Sequence, residues 1–281
     1  KEGKKALTAK AWKKVQFATL RPERIAKLLG HGKETVIYDL LWKEINRATD
    51  AELRMIDKRL AEGAAIMDGL GVNTRSLARE IQVDGLTLTA DEAISLYIGL
   101  QNENSPEALL YGNMIDFETM ERFIDQLSDA ERAWGDWMIE SFSGESFDRL
   151  SAVLLADKNT GMERVVRYFP MMRTEITADP LNRQVSDEIM RRTSYRKAYA
   201  DKGFTISRIK ISPQHQIPIR LGASAIWMEG IAKQEKYAKS GLLVKRLHRI
   251  FSDRNLKEAI AQTFGNEAND WITKYINDFT N

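Results

Sequence analysis

The stretch that decides the fold class is residues 37–67, IYDLLWKEINRATDAELRMIDKRLAEGAAIM. Its apolar residues recur three or four positions apart, with one jump of five, which is the spacing of one face of an α-helix. They are Ile37, Leu41, Ile45, Ala48, Leu53, Ile56, Leu60, Ala64 and Met67. At the jump, Thr49-Asp50-Ala51-Glu52 has the form of a capping box. We therefore predict that a second helix begins there.

Helical signals also dominate the rest of the chain. Thr89 with Glu92, and Ser128 with Glu131, have capping-box spacing and predict two further helix starts. A long stretch of helical periodicity covers residues 222–251, and an amphipathic pattern covers residues 271–279. These patterns predict a mainly α protein, built as a bundle-like array of many helices.

Strand signals are few and short. Residues 81–83 and 86–88 flank Asp84-Gly85, which is a strong signal for a two-residue β-hairpin. Residues 164–169 and 204–211 are rich in β-branched side chains and alternate in part, so they are weaker strand candidates. The sequence therefore predicts at most a small β-ribbon beside the helices.

Length and composition fit a globular protein of one large or two ordinary domains, with 281 residues, 43% hydrophobic and 29% charged. We predict an N-terminal helical region with a basic arm (residues 1–72), an acidic helical middle that ends in a Tyr-Phe-Pro element (73–178) and a C-terminal long-helix region (179–281). The absence of Cys excludes disulfides, thiolate metal sites and cysteine nucleophiles. No apolar run is long enough to predict a membrane span, and no signal-peptide pattern is present.

The net charge of +2 conceals a strong segregation of charge along the chain. Residues 84–148 contain fifteen acidic residues and two arginines, which leaves the remainder with a net charge of +15. Basic residues concentrate at residues 1–33 and 190–210. Such a pattern is typical of contact with nucleic acid, of docking between oppositely charged modules, or simply of solvated helix faces.

Two basic groups are candidate contacts with double-stranded DNA, because cations neutralise backbone phosphates without reading sequence and an aromatic ring among them stacks on bases. They are Lys4, Lys5, Lys10, Trp12, Lys13 and Lys14, and Arg191, Arg192, Arg196, Lys197, Arg208 and Lys210. The alternative is an assembly contact, in which the same cations meet the acidic residues 84–148 of this chain or of a neighbouring copy in a homo-oligomer.

Patterns that would indicate a metal or cofactor site are weak. His31, His215 and His248 are the only histidines, and they lie far apart without a paired metal-binding spacing. Residues 30–35, GHGKET, resemble a phosphate-binding loop only faintly, and we interpret them as a turn between helices. We predict no metal and no cofactor.

One carboxylate suggests a second function. Glu140-Ser141 is reminiscent of the Glu-Ser pair of lytic transglycosylases, in which a partly buried carboxylic acid protonates a glycosidic oxygen. The Gly-Leu-Met-Gln stretch expected downstream in those enzymes is absent, since the chain continues FSGESF. Glu140 thus has two interpretations: it is the general acid of a peptidoglycan-cleaving enzyme, or it is an ordinary Glu near a helix end. An acid and base pair of Glu140 with Asp148 is supported no better by the sequence than Glu140 alone.

Several motifs also follow one another in a distinctive order. Residues 86–97, LTLTADEAISLY, precede Asn102-Glu103 and residues 109–112, LLYG. Residues 124–131, IDQLSDAE, and 167–171, RYFPM, come next. Arg191-Arg192-Thr193, a long helix and residues 256–265 close the series. This order, extending over about residues 20–279, resembles a block found in very large polyvalent proteins of tailed phages and prophages.

The resemblance implies a helical, non-enzymatic segment of a giant virion-associated protein that is packaged in the phage head and ejected with the genome into the host cell. Its implied partners are other segments of the parent polypeptide or other virion proteins, and the family offers no catalytic positions to carry over. Where the family has Asn before Tyr-Phe-Pro, this chain has Arg167. A start at Lys1 rather than Met fits a piece of a longer protein.

Overall fold

The computed structural model describes residues 20–101, 106–158, 167–172 and 218–280. These residues form helices and one two-stranded sheet, so the predicted mainly α class is confirmed. The helices are α1 (Pro22–Leu29), α2 (Val36–Tyr38), α3 (Ile45–Leu70), α4 (Thr74–Leu77), α5 (Ala90–Leu100), α6 (Pro106–Asn113), α7 (Phe117–Asp125), α8 (Asp129–Ser141), α9 (Glu145–Lys158), α10 (Ala223–Phe251), α11 (Arg254–Phe264) and α12 (Asn266–Thr280). None of them is both long and apolar enough to cross a membrane.

The chain divides into two compact units, each assembled from segments that are distant in sequence. The terminal unit comprises Lys1–Leu53, Lys197–Asp201 and Lys236–Asn281. The central unit comprises Arg54–Arg196 and Lys202–Glu235. Helices α3 and α10 contribute residues to both units.

The segment that decided the fold class is one continuous helical run. A π-helical segment, Asp39–Glu44, joins α2 directly to α3. The helix start predicted at Thr49 is wrong, because Thr49 Oγ1 donates a hydrogen bond to the Ile45 carbonyl oxygen (3.1 Å) from inside α3. The predicted apolar face is also shifted: Leu53 is 53% exposed, whereas Arg59 is buried.

The predicted hairpin and both later capping boxes are confirmed. Strand β1 (Glu80–Val83) pairs antiparallel with β2 (Leu86–Thr89). The connecting residues Asp84 and Gly85 both have positive φ, 51° and 80°, as a type I′ turn requires. The reciprocal capping bonds at the start of α5 and of α8 are present. Local sequence therefore sets where these elements begin.

The core of the central unit is formed by helices around α5. Helix α5 packs against α7 and α8, and β1 lies against α7. The largest fully buried side chains here include Phe123, Trp134 and Phe142. Of the weaker strand candidates, residues 167–169 are irregular, and residues 164–166 and 204–211 lie outside the described residues.

The core of the terminal unit is apolar. Helices α11 and α12 pack against each other, and α1 packs against α2 and the π-helical segment. The predicted amphipathic pattern of the last helix is confirmed, because Ile272 and Ile276 are each only 1% exposed. Their buried partners in this cluster include Leu41, Leu247 and Ile260.

Candidate functional site

The basic residues predicted to contact DNA or another copy all lie in parts of the chain that the structure does not describe. The N-terminal group falls within residues 1–19, and the later group falls within residues 173–217. His215 falls within the second range as well. The DNA and assembly alternatives therefore stay predictions.

A buried polar cluster in the central unit is centred on Arg59 of α3. Its Nη1 donates hydrogen bonds to Gln234 Oε1 and Glu235 Oε1, both at 3.2 Å. Its Nη2 donates to the carbonyl oxygen of Ser141 at 2.6 Å. One guanidinium thus joins α3 to the C-terminal end of α8 and to α10, and it satisfies a carbonyl that the end of α8 leaves without a helical partner.

Burial also changes the electrostatics of this cluster. The side chains of Arg59 and Glu235 are 7% and 2% exposed, respectively. Burial lowers the pKa of Arg59 below its ordinary value because it disfavours the charged form, and the charge of Glu235 offsets part of that shift. The ion pair therefore offsets part of the cost of burying this guanidinium charge.

A second guanidinium reaches the same carboxylate from α9. Arg149 Nη2 donates to Glu235 Oε1 at 2.8 Å and to Ser146 Oγ at 3.4 Å. Glu235 Oε1 therefore accepts hydrogen bonds from two arginines. Its other oxygen, Oε2, is buried and accepts no hydrogen bond from the described residues.

These arginines line a polar cavity of about 310 Å³. Besides hydroxyl groups of serines, the lining includes two indole rings and five charged side chains. The charged and aromatic members are Lys58, Arg59, Glu62, Glu140, Arg149, Trp137 and Trp227. Glu235 is 1% exposed and is not part of the lining. We name this site the Arg59 cavity.

Glu140, the candidate general acid, lies at the Arg59 cavity. Its side chain is exposed, unlike the partly buried acid of the enzymes that suggested it. The neighbouring Ser141 Oγ donates to the Met138 carbonyl oxygen and accepts a hydrogen bond from Trp227 Nε1, both at 2.8 Å. Ser141 therefore serves packing, and Asp148 is exposed and does not line the cavity.

The tryptophans of the central unit form one aromatic cluster beside the cavity. Trp134 stacks on Trp137 with ring centroids 5.2 Å apart, and Trp227 contacts both rings at 5.5 and 5.4 Å. These three rings therefore join α8 to α10. Trp12 lies outside the described residues.

The Tyr-Phe-Pro element also serves packing. The Phe169 ring lies edge-on to Phe142 at 5.6 Å, and Tyr168 lies edge-on to Phe142 at 6.2 Å. Arg167, which departs from the family pattern, forms an ion pair with Asp136 of α8. The motif therefore attaches its segment to the end of α8.

Residues 30–35 form the turn predicted between α1 and α2. His31 has a positive φ of 55°, and its ring lies 5.3 Å from that of Phe264. Within the described ranges, no group of three or more His, Cys, Asp or Glu side chains is arranged to hold a metal ion.

Sequence reasoning did not single out Arg59, Arg149 or Glu235. A signal was present for two of them, because Arg59 follows Ile56 by three positions and Glu235 follows Ile231 by four. A charged residue at an apolar-face position of a helix must find a partner when that face is buried. Arg149 carries no comparable signal.

No protein-family model matches this chain, and the comparisons with curated proteins and with solved structures found no match.

Proposed function

We propose that this chain is a non-catalytic structural and interaction module of a large virion-associated protein of a tailed phage. The motif order described above supplies the phage assignment. The observation that carries the non-catalytic part is what the motif residues do: Thr89, Glu92, Ser128 and Glu131 cap helices, and Phe169 packs in the core.

The bonding of buried charges supports the same proposal. Three described side chains are both charged and more than nine-tenths buried, and each forms an ion pair. Arg59 pairs with Glu235, and Glu131 pairs with Arg79 at 3.0 Å. Each pair joins segments that are far apart in sequence, which is the use expected of groups that hold helices together.

The test is the protein composition of purified phage particles. Mass spectrometry of gradient-purified particles from a lysogen that encodes this chain should detect its peptides in constant proportion to a capsid protein. Peptides present in the lysate and missing from the particles would reject the proposal. Light scattering of the isolated chain then shows whether it associates with itself.

The DNA contact within this proposal has its own experiment. Each phosphate contact contributes about one unit to the slope of log affinity against log salt. If residues 1–14 bind DNA, their deletion weakens binding to any duplex and flattens this slope. If binding and slope stay unchanged while self-association falls, the basic arm is an assembly contact.

A second candidate function is peptidoglycan cleavage, because Glu140 lies at a cavity that also holds Arg59 and Arg149. Zymography with the wild type and with Glu140→Gln tests it, since the amide cannot donate the proton. Glu118→Gln, an exposed site on α7, is the matched control. Clearing by the wild type and the control but not by Glu140→Gln supports cleavage, and no clearing by the wild type rejects it.

A further inference from the structure

We propose that the Arg59 cavity is a binding site for the carboxylate or phosphate group of a small molecule. This inference goes beyond the structural role proposed above and does not depend on the phage assignment.

The balance of charge at the deep end of the cavity favours an anion. Among the described residues, three cations and two carboxylates line the cavity, and the buried Glu235 carboxylate accepts hydrogen bonds from two of those cations. The Arg59 and Arg149 side chains are only 7% and 24% exposed, whereas the rim pair Lys58 and Glu62 is 62% and 55% exposed. Charges at the deep end act through a lower dielectric and are screened less by salt than charges at the rim. The deep end holds two guanidinium groups and the Glu235 carboxylate that accepts from both, so positive charges outnumber negative charges there.

Glu235 fixes the two guanidinium groups in place without occupying the cavity. Both donate to its Oε1, at 3.2 and 2.8 Å, while Glu235 itself is outside the lining. A guanidinium that is already oriented loses less entropy when it binds an oxyanion, and its planar N–H groups match carboxylate and phosphate oxygens. Glu235 is thus a positioning residue for the site.

The rest of the wall suits a small molecule that carries such a group. Ser143 and Ser146 supply hydroxyls, and Trp137 supplies an apolar surface. The volume of about 310 Å³ falls at the lower end of the range for small-molecule sites, about 300–1,000 Å³. We therefore expect a compact ligand whose charged end meets the arginines.

Binding is measured on the full chain by isothermal titration calorimetry and by tryptophan fluorescence, because Trp137 and Trp227 line the cavity. The probes are inorganic phosphate and citrate, with sodium chloride at matched ionic strength as the reference. We expect a Kd on the order of 1 mM or tighter for at least one probe. A short DNA duplex is titrated in parallel.

Variants locate the site. Arg149→Gln should weaken binding about tenfold or more, the effect of losing a charge-assisted hydrogen bond. Arg122→Gln removes an arginine from the same unit that does not line the cavity, and its affinity should stay within about twofold of the wild type. Glu140→Gln should strengthen binding about two- to threefold by removing a repulsive rim charge.

The Glu140 variant also separates this inference from the cleavage hypothesis, which predicts loss of function there. If Arg149→Gln does not fold, Lys58→Gln at the exposed rim decides in its place and should weaken binding about twofold. Absence of binding to both small anions, equal losses in the Arg149 and Arg122 variants, or binding to the duplex alone would each overturn the proposal.

Discussion

The two units of this protein are stabilised by different kinds of interior. In the terminal unit, the described buried residues are apolar apart from Ser240, and its ion pairs, such as Lys43 with Glu34, lie at the surface. In the central unit, three charged side chains are buried and paired. Apolar burial is non-directional, whereas a buried ion pair requires particular partners. Removing one partner of an ion pair should therefore cost the central unit far more stability than the terminal unit.

Removing Glu235 should give the largest effect. Glu235→Ala leaves Arg59 buried without its carboxylate, and breaking such a pair costs about 3–5 kcal/mol. Urea unfolding should show this as a large fall in the unfolding midpoint. Glu34→Ala, which removes a partner of Lys43 in the terminal unit, should change stability little because both side chains are solvated. Similar midpoints for the two variants would remove the contrast between the units.

A close backbone approach gives the next largest effect. A Cβ at Gly63 would overlap the ring of Trp227, whereas a Cβ at Gly69, in the same helix, would meet nothing. Gly63→Ala should destabilise the protein by roughly 1–3 kcal/mol through overpacking. Gly69→Ala should stabilise it by roughly 0.5–1 kcal/mol, because Ala has the higher helix propensity. Thermal unfolding of both variants checks that their stabilities change in opposite directions. Stabilisation by Gly63→Ala as well would show that Trp227 moves aside.

The elements that sequence predicted correctly depend on neighbouring residues. The Asp84-Gly85 turn and the capping bonds of α5 and α8 each involve residues within a few positions of one another. The wrong helix start at Thr49 is also a local matter, since the same hydroxyl that caps a helix can bond the carbonyl four residues back.

The Arg59 cavity was beyond sequence reasoning for a different reason. Arg59 and Glu235 are separated by 176 positions, and a pattern in one helix does not specify which other helix it will contact. The sequence did indicate Glu140 as a candidate general acid, and Glu140 does line the cavity. The guanidinium groups that give the cavity its electrostatic character come from α3 and α9, and only the folded chain brings them together.

The two units also differ in how the start of a helix is capped. In the central unit a residue of another helix caps α10, whereas in the terminal unit the residue just before α11 caps it. Asp91 Oδ1 accepts hydrogen bonds from Ser224 N–H (3.0 Å) and Ser224 Oγ (2.6 Å) at the start of α10. In the terminal unit, Asp253 caps α11 at an exposed position. Asp91→Ala should cost about 1–3 kcal/mol because it leaves two partly buried donors of Ser224 without this acceptor, and Asp253→Ala should cost about 1 kcal/mol. Chemical unfolding ranks the two variants by the loss in their free energy of unfolding. A larger loss in Asp253→Ala than in Asp91→Ala would contradict this expectation.

The contribution of Asp91 to stability should depend on pH. Burial raises its pKa above the ordinary value of 3.8, although its bonds to Ser224 oppose the shift. The folded state then holds the proton more tightly, so the stabilisation is complete below pH 3.8 and is lost as pH rises through the folded pKa. The stability of the wild type relative to Asp91→Asn should therefore be lower at neutral pH than in acid. Urea unfolding of both proteins at the two pH values measures this, and no change would contradict it.

The smallest change in stability is expected for Tyr275, an ionisable residue of the terminal unit. Burial raises the pKa of Tyr275 to about 12, and its ring stacks on Trp271 at 4.8 Å. Between the ordinary value of 10.0 and about 12, the unfolded chain releases this proton and the folded chain keeps it. Stability should thus fall with rising pH across this window in the wild type more than in Tyr275→Phe.

At neutral pH the Tyr275→Phe substitution should change stability by no more than about 0.5 kcal/mol. Ultraviolet titration of folded protein should show a phenolate step near pH 12 that this variant lacks. If Tyr275 instead ionises with an ordinary pKa, water or a polar partner reaches the phenol. The interior of the terminal unit would then be less apolar than its buried residues indicate, and the contrast with the central unit would narrow.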